Sequence, residues 1–239
     1  MLSKAPCRLN PVQVRDGSFF GRRKGKTLRP QQREALKSTL PALLLDVSEP
    51  AAADLSALFP VPVEAIRLEI GFGAGEHLLH EARTSPAIGF IGIEPFENGL
   101  AKAVVAIAHD RIQNVRLFDR DATILLDWLP ADSLDRIDLL YPDPWPKMRH
   151  WKRRFVNPDN LARMARCLRP GGLFRFASDV EAYVKWTVRE VARNKRLSWT
   201  ADSLDQCREP WPGWPGTRYE AKALAEGRRP AYLPFRKTS

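Results

Sequence analysis

The densest chemistry in the chain lies in the run Tyr141-Pro142-Asp143-Pro144-Trp145-Pro146-Lys147-Met148-Arg149-His150-Trp151-Lys152-Arg153-Arg154. Each proline ring fixes its own φ, so the segment around Asp143 is stiff and presents that carboxylate in a set direction. Lys147, Arg149, Lys152, Arg153 and Arg154 follow, interleaved with Trp145, His150 and Trp151. Cationic side chains bind phosphates, and aromatic rings stack on unpaired bases. The pattern predicts a carboxylate presented to a substrate beside a surface that touches RNA.

A second constellation is Glu69-Ile70-Gly71-Phe72-Gly73-Ala74-Gly75. Glycines at alternate positions let a backbone approach a ligand closely. A dinucleotide fingerprint requires G-x-G-x-x-G, and counting from Gly71 its third glycine position holds Glu76. A pyrophosphate cradle is therefore disfavoured, and NAD or FAD with it. Acids replace it. Glu94 stands where a carboxylate accepts from a ribose diol, and Asp121 where one accepts from an adenine amine. Glu69 can face an ammonium or sulfonium end through ordered water. Acids at the ends of successive strands suit a cationic nucleoside such as S-adenosylmethionine. Glu69, Gly71, Glu94 and Asp121 are the expected cofactor residues.

Positioning these residues requires a particular order of elements. Ile66–Ile70, Gly89–Ile93, Val115–Phe118, Ile137–Tyr141 and Leu173–Ala177 read as short apolar strands. Helical segments follow each, near His77–Ala82, Gly99–His109, Ala122–Leu129, Pro158–Cys167 and Val180–Asn194. Parallel strands need crossover helices, so the alternation predicts an α/β, Rossmann-like, doubly wound and mostly parallel sheet. The site residues then fall at strand ends, where ligands bind in such sheets. His77 and His80 stand at i, i+3 on the first of these helices, and they read as surface residues without a third metal ligand. No metal site is expected.

The 239 residues suit one domain, and 38 Lys and Arg against 28 Asp and Glu leave a net charge of +10. Such a surplus favours a polyanionic partner. Residues 1–35 are basic and rich in Gly17, Gly21, Gly25 and Pro30, which predicts an irregular RNA-contacting arm ahead of a single domain over 36–239. Cys7, Cys167 and Cys207 are scattered, which fits neither a disulfide framework nor a zinc site and predicts a cytoplasmic location. No apolar run reaches the length of a membrane span.

The chain closely resembles the bacterial tRNA (guanine-N7)-methyltransferase family. The resemblance rests on Glu69–Gly75, Gly92-Ile93-Glu94, the Pro142–Val156 run, Ala177-Ser178-Asp179 and Thr217-Arg218-Tyr219-Glu220-Ala221-Lys222. It spans about Leu68 to Arg229 and implies a seven-stranded class I methyltransferase sheet. It also implies that Glu69, Glu94, Asp121 and Asp143 bind S-adenosylmethionine, with Asp143 also catalytic. By the same resemblance Lys147, Asp179, Thr217, Arg218, Tyr219 and Glu220 contact the substrate. Arg149, His150, Trp151, Lys152, Arg153 and Arg154 contact RNA, and the target is the guanine at tRNA position 46. The chain departs from its relatives after Glu94, with Pro95-Phe96-Glu97-Asn98-Gly99 where a histidine and a Pro-Gly pair are common.

Guanine N7 has an in-plane lone pair and no hydrogen, so its methylation needs alignment and matched electrostatics, with neither a cysteine nucleophile nor a metal. On this reading Asp179 and Glu220 accept from the guanine N1–H and N2 amine, and Lys147 donates to O6 or a phosphate. Two other readings stay open from sequence alone: a methyltransferase acting on a small molecule, and an RNA-binding protein without activity.

Overall fold

The computed structural model describes residues 20–203 and 205–238. Seven strands form one sheet: β1 (Ala65–Ile70), β2 (Ile88–Ile93), β3 (Val115–Phe118), β4 (Leu134–Leu140), β5 (Leu168–Ser178), β6 (Leu197–Trp199) and β7 (Ala231–Lys237). The helices are α1 (Pro30–Ser38), α2 (Leu40–Leu43), α3 (Glu76–Thr84), α4 (Glu97–Asp110), α5 (Ala122–Trp128), α6 (Pro158–Cys167), α7 (Glu181–Ala192) and α8 (Arg218–Ala225). The strand order is β3-β2-β1-β4-β5-β7-β6. The first five are parallel and β7 runs antiparallel to both neighbours. The expected doubly wound, mostly parallel seven-stranded sheet is the architecture found.

Alternate strand residues serve opposite faces of a sheet. Phe90 and Leu117 pack in one apolar cluster with Leu78, Leu79, Leu100 and Val104 of α3 and α4. Ile91, Ile93 and Phe118 pack in a second with Leu125, Leu161 and Met164 of α5 and α6. Strands buried on both sides are apolar throughout, which is why the sequence exposes them. The chain order reverses between β1 and β4, so the crevice at their carboxyl ends is the place where a doubly wound sheet takes its ligand.

Two elements differ from expectation. Pro30 opens α1 at its first position, where a missing N–H costs nothing, so a regular helix begins inside the stretch read as irregular. Upstream, residues 20–26 lie against α4: Glu97 N donates to Arg23 O at 2.9 Å, Gly25 N to Asn98 Oδ1 at 2.7 Å, and Asn98 Nδ2 to Lys26 O at 2.6 Å. The Pro95–Gly99 departure thus supplies the dock for this segment. The remainder of the expected arm, residues 1–19, lies outside the described residues.

Candidate active site

β1 ends in the glycine turn. Gly71, Gly73 and Gly75 all have positive φ, at 76°, 60° and 87°, a region that side-chain-bearing residues rarely adopt. Gly99 at the start of α4 approaches the same turn, and a Cβ there would stand 2.3 Å from the Gly73 carbonyl oxygen. The turn is fixed from behind and open in front.

In front lies a cavity of about 1000 Å³, whose wall includes Gly71, Gly73, Glu94, Asp121, Asp143, Arg218 and Tyr219. Glu94 ends β2 at 8% exposure. Its Oε2 accepts from Gly73 N at 2.6 Å and its Oε1 from Phe96 N at 2.9 Å. Burial pushes its pKa up to about 7, opposed by those two N–H donors and by the positive charge of Arg218. Asp121 caps α5 through Oδ1, which accepts from Thr123 N at 2.8 Å and from Thr123 Oγ1 at 2.6 Å. Both bonds use one oxygen, so the opposite oxygen is the one a ligand can reach.

Asp143 faces the cavity from the loop after β4. The walls desolvate its carboxyl and raise its pKa. Its neighbours two residues away on either side, Tyr141 and Trp145, both have left-handed backbones, with φ of 48° and 42°. Two bulky residues in that region, separated by Pro142 and Pro144, mark a loop held in a strained shape by its surroundings.

The chain matches the family described as "Putative methyltransferase" over residues 64–232. It is 60% identical over 220 residues to the tRNA (guanine-N(7)-)-methyltransferase of Rhizobium meliloti, covering 92% of this chain and 95% of that protein. It is likewise 60% identical over 219 residues to the tRNA (guanine-N(7)-)-methyltransferase of Azorhizobium caulinodans, covering 92% and 94%. This chain belongs to the tRNA (guanine-N7)-methyltransferase family. In fold it is also similar to the 16S rRNA methyltransferase KamB, with a TM-score of 0.54 at 16% identity over 80% of this chain and 94% of that one.

In this methyltransferase the residues expected at the site divide in two. The cavity wall brings together Gly71, Glu94, Asp121, Asp143, Arg218, Tyr219, Lys152, Arg153 and Arg154. Glu69 is not on the wall: it is 5% exposed and its Oε2 accepts from His77 Nδ1 at 2.6 Å. Thr217 and Glu220 form the capping box that starts α8, with Glu220 N donating to Thr217 Oγ1 at 3.1 Å. Glu220 is buried, and its oxygens accept from Thr217 N at 3.2 Å, Trp214 Nε1 at 2.6 Å and the Tyr232 hydroxyl. The carboxylate is occupied by these donors and fixes the start of the helix. Asp179 pairs with Arg228, also away from the cavity. Lys147 is exposed, ahead of the 3₁₀ turn Met148–Arg153, and is not on the wall.

The basic run divides as well. Arg149 and Lys152 are exposed, and His150 meets the edge of Trp145 at 5.8 Å. The Arg153 guanidinium lies 5.3 Å from the ring of Phe20 and 4.9 Å from that of Trp145. Trp151 is half-buried against Trp186, with ring centroids 5.4 Å apart, so it is not a free stacking platform. Arg154 lines the cavity too but is set differently from its neighbours. It is 1% exposed, its Nε donates to Pro144 O at 2.9 Å, and its guanidinium sits within about 5 Å of the Trp151, Tyr183 and Trp186 rings. Its two terminal nitrogens are buried without a hydrogen-bond partner. The bond to Pro144 ties down the loop one residue past Asp143.

Sequence reasoning missed two contributors. Phe20 lines the cavity itself, beside Arg22 of the basic arm. His77, read as a surface residue, is 2% exposed behind the glycine turn. The i, i+3 spacing with half-buried His80 suggested a solvated face, and no local signal shows that β5 and a C-terminal tryptophan cover His77. Among the described residues no group of three or more His, Cys, Asp or Glu is arranged to hold a metal ion, and no helix is long and apolar enough to cross a membrane.

Proposed function

We propose that this chain transfers a methyl group to N7 of a guanine in tRNA, at position 46 in the variable loop, with S-adenosylmethionine as donor. The observation that carries this reading is the convergence of Glu94, Asp121 and Asp143 on one cavity beside a glycine turn with an open front. The donor set fits the cofactor: Asp121 has an oxygen free for an amine, and Glu94 is a buried acceptor at ribose height on the sheet edge. S-adenosylmethionine bound there supplies a sulfonium-activated methyl group.

The protein's part follows from the geometry. Guanine N7 needs no base to unmask its lone pair, so the site has only to align the ring and stabilise the positive charge it gains. Asp143, held by its prolines and by Arg154, presents a carboxylate to that charge. Arg218 and Tyr219 close the cavity over Gly73, and a Cβ built on Gly73 would stand 3.3 Å from Arg218 Nη2 and 3.7 Å from Tyr219 Cε2. Lys152, Arg153 and Arg149, with Arg22 of the arm, meet the tRNA backbone and fix register without reading sequence. Glu69 serves from behind the turn. In a test with unmodified tRNA and labelled cofactor, nucleoside mass analysis should find N7-methylguanosine, mapped to position 46. Label at another base or position, or none, would refute the assignment.

A further inference from the structure

Behind the glycine turn lies a buried group that the reaction described above does not use. His77 Nδ1 stands 2.6 Å from Glu69 Oε2, and His77 Nε2 stands 3.2 Å from Arg175 Nη2, with Glu81 Oε1 more distant at 3.9 Å. A guanidinium has only donors, so in the neutral ring Nε2 carries the lone pair and Nδ1 the hydrogen. The tautomer is thereby fixed, with the N–H aimed at Glu69. Arg175 in turn donates from Nε to Asp138 Oδ1 at 2.5 Å and has its guanidinium 4.5 Å from the ring of Trp211.

The other face of the histidine leads across the fold. Its ring lies 5.0 Å from that of Trp214. Trp214 Nε1 donates to Glu220 Oε2, the same oxygen that accepts from Thr217 N in the α8 capping box. The first two residues of α8, Arg218 and Tyr219, are the ones that overlie the glycine turn from the substrate side. One continuous set of contacts therefore joins Glu69, which ends β1, to the cap that aims Arg218 and Tyr219.

We propose that His77 is a positioning residue that ties the cofactor turn, through Glu69, to the substrate-side helix, through Trp214 and Glu220, so that the two halves of the site are set as one unit. The inference rests on the cofactor and tRNA sides assigned above. Thermodynamic coupling between sites is reciprocal, so a break on either side must be felt on the other. A residue that merely fills the core would lower stability and leave both ligands bound as before.

The test uses the full chain, with S-adenosylhomocysteine binding by calorimetry, unmodified tRNA binding by filter retention, and melting temperature in parallel. Trp214→Phe keeps an aromatic ring against His77 and removes the N–H to Glu220. It should weaken S-adenosylhomocysteine binding by about fivefold, near the lower end of coupling between sites, although Trp214 is absent from the cavity wall. His77→Leu should weaken both S-adenosylhomocysteine and tRNA binding by at least about that factor. His77→Asn, whose amide N–H replaces Nδ1–H, should recover most of the S-adenosylhomocysteine affinity. Variants that melt lower yet bind both ligands as the wild type does would overturn the proposal. Trp214→Phe with unchanged S-adenosylhomocysteine affinity would do the same. A wild-type chain that bound no S-adenosylhomocysteine would instead refute the reading of the cavity, and the proposal with it.

Discussion

The Nε of Arg154 donates to the carbonyl of Pro144 at 2.9 Å, while the preceding guanidinium, on Arg153, lies against Phe20 and Trp145 at the cavity. Adjacent arginines thus have different surroundings on one cavity wall. Arg154→Ala should lower kcat and the melting temperature while the salt dependence of tRNA binding stays that of the wild type. Arg153→Ala should weaken tRNA binding and reduce its logarithmic salt slope by about 0.7 to 0.9 for each phosphate it no longer neutralises. Binding isotherms at two salt concentrations separate the two, and a flattened slope for Arg154→Ala would contradict its burial.

On the proposed reading Asp143 carries the charge that faces the reacting ring. Asp143→Ala should reduce kcat by about 100-fold or more, the scale of losing one preorganised electrostatic interaction. Its side chain contributes nothing to the core, so the melting temperature should stay close to that of the wild type. Single-turnover rates with saturating tRNA and cofactor check this, and near-normal rates would remove Asp143 from the chemistry.

Glu94 sets a pH dependence whose sign is fixed by burial. Its pKa of about 7 in the free protein lies above the ordinary carboxylate value, so it is largely protonated at pH 6 and ionised at pH 8. A ribose diol donates best to the ionised form. Cofactor affinity should therefore fall as pH drops through 7, approaching about tenfold per unit below it. Glu94→Gln should bind weakly at both pH values and lose most of the dependence. Calorimetric titrations at pH 6 and pH 8 provide the comparison, and a wild-type affinity that rose at pH 6 would reverse the assigned role.

The close approach of Gly99 to the Gly73 carbonyl gives a stability prediction. Gly99→Ala places a Cβ 2.3 Å from the Gly73 carbonyl oxygen, so either α4 or the turn must move. Overpacking of this kind costs about 1–3 kcal/mol. Chemical denaturation should show that loss, together with weakened cofactor binding. An unchanged midpoint would mean that the turn has room to retreat.

How far the sequence reveals this molecule depends on whether a signal is local. The five parallel strands are legible because strands buried on both faces are continuously apolar, and the acids at their ends follow from the sheet's direction. β7 escapes because Pro234 interrupts it; in the register that proline lies opposite Arg175 of β5. β6 has three residues, too few for any periodicity. The burial of Arg154 is hidden because an Arg-Arg pair in a basic run looks the same whether it meets water or three aromatic rings. The occupancy of Glu220 is hidden for the converse reason: the capping box is visible in Thr217-x-x-Glu220, but the tryptophan and tyrosine that occupy the carboxylate arrive from outside the helix.

The surroundings of His77 have one more property. Arg67, Arg136 and Arg175 meet Glu69, Glu81 and Asp138 through this network, with Arg67 Nη1 3.0 Å from Glu81 Oε2 and Arg136 Nε 2.8 Å from Asp138 Oδ2. Three positive and three negative side chains stand around the histidine and offset one another in pairs, so the field of the six falls off steeply with distance. Burial disfavours a proton on the imidazole, but the carboxylates of Glu69 and Asp138 outweigh it and raise the His77 pKa above its ordinary value. Gain of that proton adds one positive charge to a balanced set a few ångströms behind the glycine turn, so the pH of the solution reaches a part of the fold that water does not.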